Sequence, residues 1–235
     1  MIRLRFIASL FVFALVFMFS AQTFAQDRTQ LLREIDSLKE QLKAKEKEFL
    51  DPSPQDKAAF TEFLSQPDTG LIRLMPRETN QNKLSINGSG AYYSFARLTH
   101  EYGYGSDITL ERDMLSVGFA GADFGFLTSL GDVPIEPVNQ QHPALEFLVN
   151  FTPPSEEPKA RESQRNSAAG VQVKEFNYHR SLLARVNTTY ALRSVSYGRS
   201  DILAVFRVLR KDSDGSLIIA WKLLKLYPTP ELIRP

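Results

Sequence analysis

The 235-residue chain contains no cysteine. That excludes disulfide staples, thiolate zinc sites, iron–sulfur clusters, cysteine nucleophiles and lipid anchors on cysteine. Net charge is nearly absent too, with 28 Lys and Arg against 27 Asp and Glu, so nucleic acid is not an expected partner. Glycine is missing from residues 26–69, whereas all 12 glycines lie in residues 70–235. Such an abrupt change of composition marks a structural boundary. No phosphate-binding loop is present: Phe119-Ala120-Gly121-Ala122-Asp123-Phe124-Gly125-Phe126 is Gly-rich but lacks the following lysine, and it reads as a hairpin turning at Gly121, Ala122 and Asp123.

What the chain does carry first is an address. Arg3 and Arg5 precede an apolar run from Phe6 to Phe19, followed by Ser20-Ala21-Gln22-Thr23-Phe24-Ala25. This is the pattern of a secretory signal peptide, residues 1–25, with cleavage expected after Ala25. The run is short for a membrane span of about 20 residues, so no stable span is expected after cleavage. A retained signal anchor is the alternative. The mature protein is then periplasmic or secreted.

Residues 26–69 read as a helical arm. Leu31, Ile35, Leu38 and Leu42 recur at steps of four, three and four, the seam of a short coiled coil able to form a homodimer. In that register Glu34 and Lys39 take the flanking g and e positions. The alternative is a helix lying on the protein's own sheet domain. Pro52 and Pro54 end this helix, and Ser53 with Asp56 caps a second one that carries Phe60, Phe63 and Leu64 on one face.

Residues 70–235 change to short aromatic and β-branched runs between glycine turns, which predicts antiparallel sheet. Strands are expected near 71–75, 84–87, 91–100, 107–111, 114–120, 124–130, 171–178, 188–197, 201–211 and 216–226. The last two flank Asp212-Ser213-Asp214-Gly215, a hairpin turn. Ile202 to Phe206 is apolar on both faces, so that strand should be central and covered on both sides. The fold class is mainly β: an antiparallel sandwich or partly closed barrel behind a helix pair, with a helix or loop insertion near 143–170. In that insertion Leu145 to Phe151 fits a strand by alternation and a helix through Leu145, Leu148 and Phe151, with Pro143 favouring a helix start, and the polar stretch 152–170 is either a solvated helix or a surface loop.

Chemistry concentrates in one strand-to-turn region holding Tyr92, Tyr93, His100, Glu101, Tyr102, Tyr104 and Asp107. Flat rings beside polar groups suit a sugar or an extended peptide, because a ring buries area while its hydroxyl keeps a hydrogen bond. The competing reading is that strand tyrosines pack half-buried for structural reasons. His142 and His179 stand outside any metal-ligand spacing, so neither metal nor cofactor is expected. Asp107, Asp123 and Asp132, with Glu101, are the acids from which a glycosidase pair would be drawn. Acidic residues crowd 101–162 and basic ones 180–225, two halves expected to neutralise each other; the alternative is a basic face that meets an anionic polymer such as an envelope glycan or lipid head groups. These features point to an exported, non-enzymatic binding or interaction module of the cell envelope, with a glycan or an envelope protein as partner. The alternatives are a secreted glycan-acting hydrolase and a structural component assembling through its N-terminal helix.

Overall fold

The computed structural model describes residues 28–79, 84–103 and 105–233. The expected signal segment, residues 1–25, and Tyr104 lie outside the described residues. The chain divides into two compact units, one ending at Glu48 and one beginning at Phe49. Helix α1, residues 28–50, carries polar pairs one turn apart: Gln30 donates to Glu34 at 3.1 Å, and Lys45 meets Glu48 at 2.7 Å. Its leucine and isoleucine seam is open, with Leu31, Ile35, Leu38 and Leu42 between 42% and 63% exposed. No described helix is long and apolar enough to cross a membrane.

The second unit opens with two short helices, α2 (Pro54–Ala59) and α3 (Thr61–Leu64). The capping box at Ser53 is formed reciprocally: its Oγ accepts from the Asp56 backbone while Asp56 Oδ2 accepts from the Ser53 backbone, both at 3.1 Å. Phe63 is buried from α3.

Eleven strands follow among the described residues. They are β1 (Thr69–Leu74), β2 (Tyr92–Tyr93), β3 (Ile108–Glu111), β4 (Met114–Ser116), β5 (Phe124–Gly131) and β6 (Val171–Val173), then β7 (Phe176–Tyr178), β8 (Ser181–Leu183), β9 (Thr188–Ser196), β10 (Ser200–Lys211) and β11 (Leu217–Leu226). Five form one antiparallel sheet in the order β1-β11-β10-β9-β5, and four form another in the order β2-β3-β4-β8. β6 and β7 make a separate hairpin. The two larger sheets pack face to face as a sandwich, not closed into a barrel. Ile202, Ala204 and Phe206 face the smaller sheet's Tyr93, Ile108, Leu110 and Leu115 in one core. Leu203 and Val205, alternating with them, enter a second core with Ile135, Leu145, Leu148 and Tyr178. β10 is thus covered on both faces, as its unbroken apolar run predicts.

The short helix starts as Pro143 implies: a 3-10 turn at Pro143–Leu145 leads into α4 (Glu146–Asn150). The polar stretch contains α5 (Glu157–Ala169), which buries only Ala160 and Ser167. It has no large apolar side chain to bury, and close approach replaces it: Ser167 Oγ donates to the carbonyl of Gly125. Part of the charge asymmetry is neutralised across the fold, by Arg207 with Asp132 at 2.5 Å and Lys211 with Asp113 at 2.7 Å.

Several expected strands are corrected. Residues 84–90 hold bends and turns. The strand expected over 91–100 stops at Tyr93, because Leu98 takes φ +54° and the chain closes back through Ser94 N to Thr99 O at 2.9 Å. Residues 171–178 are a hairpin, reversing at Lys174 with φ +55°. The strand expected over 114–120 ends at Ser116, and Gly121 to Asp123 do not join a hairpin. Gly118, at φ +75°, carries the chain from one sheet into the other, and a Cβ there would lie 2.6 Å from Phe124 Cα. Strand β8 has no counterpart in the sequence reading.

Candidate functional site

The outer face of the smaller sheet holds a cleft of about 770 Å³. Its floor follows from strand alternation. Tyr93, Ile108, Leu110, Leu115 and Leu182 point into the sandwich core, so their strand neighbours Tyr92, Thr109, Ser116 and Ser181 point outward. Register then places Tyr92 opposite Thr109, Thr109 opposite Ser116, and Ser116 opposite Ser181. Four hydroxyl side chains therefore form one row across all four strands, roughly 14 Å at the usual strand spacing. The Ser116 and Ser181 oxygens lie 2.7 Å apart. Small side chains at three of these positions make the floor low.

Taller groups wall it. The Tyr102 ring sits 4.6 Å from that of Tyr92, and Phe119 meets Tyr92 edge-on at 5.3 Å. Tyr102 is held by a main-chain clasp in which its N–H donates to Asn87 O at 2.8 Å. Gly88 lies beneath the pair, and a Cβ there would stand 2.6 Å from the Tyr92 ring. Arg77 pairs with Glu111 at 3.2 Å. Arg180 donates from Nε to Val117 O at 3.1 Å and from Nη2 to Gly118 O at 2.7 Å. Burial pushes the Tyr92 phenol above its ordinary value, partly offset by Arg77, so it stays a neutral hydroxyl near pH 7.

Of the residues singled out from sequence, Tyr92 and Tyr102 line this cleft. Tyr93 turns inward, 5% exposed, against Phe95 and Trp221. Asp107 is fully buried, accepting from Phe95 N at 2.8 Å and from Ser94 Oγ at 3.3 Å, and burial pushes its carboxyl up to about 7. His100 packs edge-on to Tyr93 at 4.9 Å, and burial pushes its imidazole down to about 4. Glu101 is half-buried on the adjoining loop, away from the cleft lining.

Two of the acids considered for hydrolysis, Asp123 and Asp132, lie far apart. Asp123 accepts from Tyr197 N at 3.0 Å, and Asp132 pairs with Arg207. They flank the eight-residue β5, roughly 25 Å of extended chain against the roughly 5–9.5 Å of a glycosidase pair. His142 Nδ1 accepts from Ala144 N at 3.2 Å and starts the 3-10 turn. Among the described residues, no group of His, Asp and Glu is placed to hold a metal ion.

Comparison with protein-family models, with curated proteins and with solved structures finds no match.

Thr109, Ser116, Phe119, Arg180 and Ser181 were not singled out in sequence. Alternation in Ile108-Thr109-Leu110 and Leu115-Ser116-Val117 signals outward hydroxyls, but only pairing register aligns them into a row.

Proposed function

We propose that the chain is an exported binding protein that takes a saccharide in the outer-face cleft. The observation that carries this is the row Tyr92–Thr109–Ser116–Ser181 with the rings of Tyr102 and Phe119 packed against Tyr92 at one end of it. Rings supply apolar area for a sugar face, and the hydroxyls pair with its hydroxyl groups. Ser116 and Ser181 share one hydrogen bond and Thr109 Oγ1 donates to Ala91 O at 2.8 Å, which leaves the row lone pairs and hydroxyl protons to offer a polar ligand. Binding without turnover is favoured because, among the described residues, Glu111 is the one carboxylate lining the cleft, and glycoside hydrolysis normally uses two. Export is carried by Arg3, Arg5 and the apolar run to Phe19. The test is a glycan panel with the purified chain. Wild type binds one sugar class, and Tyr102→Ala loses roughly tenfold or more in affinity with its melting temperature unchanged. Binding to no glycan overturns the reading.

A second element is proposed on the open seam of α1. Two copies would align in parallel through Leu31, Ile35, Leu38 and Leu42, with Glu34 opposite Lys39 across the pair. Sedimentation should give a dimer that Leu38→Glu dissociates; a monomeric wild type overturns it.

A further inference from the structure

We infer that the saccharide taken by this cleft is an acidic one, whose carboxylate seats on Arg180. The inference rests on the saccharide reading above and names the ligand class. The two arginines of the cleft are differently placed. Arg77 already has a carboxylate partner, Glu111 at 3.2 Å. Arg180 is half-buried and, among the described residues, its guanidinium meets carbonyl oxygens and no carboxylate. Those carbonyls, Val117 O and Gly118 O, are neutral dipoles, so they fix the plane of the guanidinium without cancelling its charge.

Arg180 precedes Ser181, the last member of the hydroxyl row, so the cation stands at one end of the floor. Its backbone is anchored on two sides: its N–H donates to Ser167 O at 2.7 Å and its carbonyl accepts from Val117 N at 3.1 Å. Nε and Nη2 are engaged, whereas Nη1 has no partner among the described residues. A fixed, partly desolvated cation beside a row of neutral hydroxyls recognises a ring bearing both hydroxyl groups and one negative charge. A neutral sugar would leave that cation unpaired as water is displaced from the cleft.

The experiment compares trigalacturonate with its carboxyl-reduced counterpart, which keeps the ring and hydroxyl groups. Calorimetric titration of the wild-type chain should show the acid binding roughly tenfold or more tightly, the size of one charge-assisted hydrogen bond. Rising salt should weaken the acid selectively. In Arg180→Gln the acid should lose its advantage over the reduced sugar, and the salt dependence of acid binding should fall with it. Equal binding of both sugars to wild type, or binding of neutral panel sugars alone, overturns the inference and leaves the saccharide reading standing. Binding of no saccharide at all overturns both. Should Arg180→Gln lose its fold through the ties to Val117 and Gly118, the wild-type comparison and its salt dependence decide alone.

Discussion

The Asp107 carboxylate accepts the backbone N–H of Phe95 at 2.8 Å, across twelve residues of chain. With the Ser94 hydroxyl at 3.3 Å, this contact holds the loop after β2 closed and sets Phe95 between the sheets. One consequence is a residue suited to structure and lost to ligand binding. Another is an acid whose ionisation opposes folding.

Burial raises the Asp107 carboxyl from 3.8 to about 7, so between those values the folded state holds more protons than the unfolded one. Stability from this group is present below pH 3.8 and is lost as pH rises to about 7. Asp107→Asn removes that loss. Urea denaturation across pH should show the variant gaining on wild type from about pH 4 to 7, by at most about 4 kcal/mol, and holding level above. A difference that ignores pH would return Asp107 to an ordinary carboxylate.

His100 acts in the opposite direction over nearly the same range. Burial lowers its imidazole from 6.5 to about 4, against weaker raising contributions from the Gly90 and Tyr92 backbones and the Asp51 charge. The unfolded chain therefore takes the proton first, and stability rises with pH from about 4 to 6.5. His100→Gln should lose that rise, so its stability falls through the window where wild type stays flatter. An unchanged pH profile in the variant would mean the imidazole titrates as it does in solvent.

The architecture was legible wherever a local pattern had one physical solution. The two-sided apolar run at Ile202 to Phe206 and the turn at Asp212 to Gly215 required a buried central hairpin, and the Ser53–Asp56 spacing required a cap. The cleft was legible only in part. Tyr92 and Tyr102 attracted notice as aromatic residues, while Thr109, Ser116 and Ser181 are ordinary strand residues until three separate pairings align them. Alternation sets Tyr92 and Tyr93 on opposite faces, but composition does not say which face of a strand meets a second sheet. Lys174 reversed a strand with no turn residue to announce it.

Arg193 and Asp201 form a buried pair, at 2.5 and 2.8 Å, with side chains 1% and 2% exposed. Arg193 also donates to Leu148 O at 2.8 Å and lies over the Tyr227 ring, tying β9 to α4 and the C-terminal segment. Arg193→Met strands a buried carboxylate and should cost about 3–5 kcal/mol in chemical denaturation. Arg193→Met with Asp201→Leu removes both charges and should recover much of that loss. Additive losses in the double variant would show that the pair is not coupled.

Gly88 links backbone conformation to the cleft. Its φ is +84°, and an added Cβ would meet the Tyr92 ring at 2.6 Å and Tyr102 Cβ at 3.0 Å. Gly88→Ala therefore combines backbone strain, worth about 1–3 kcal/mol, with displacement of the two rings. Gly198 separates these effects, since it has φ +69° and nothing within 4 Å of an added Cβ. Gly198→Ala should destabilise the chain and leave saccharide affinity unchanged. Gly88→Ala should destabilise it and also weaken binding several-fold, because Tyr92 at the end of the hydroxyl row and Tyr102 beside it move apart from their contact. Equal affinities in the two alanine variants would remove Tyr92 and Tyr102 from the binding surface and shift the wall of the site to Phe119.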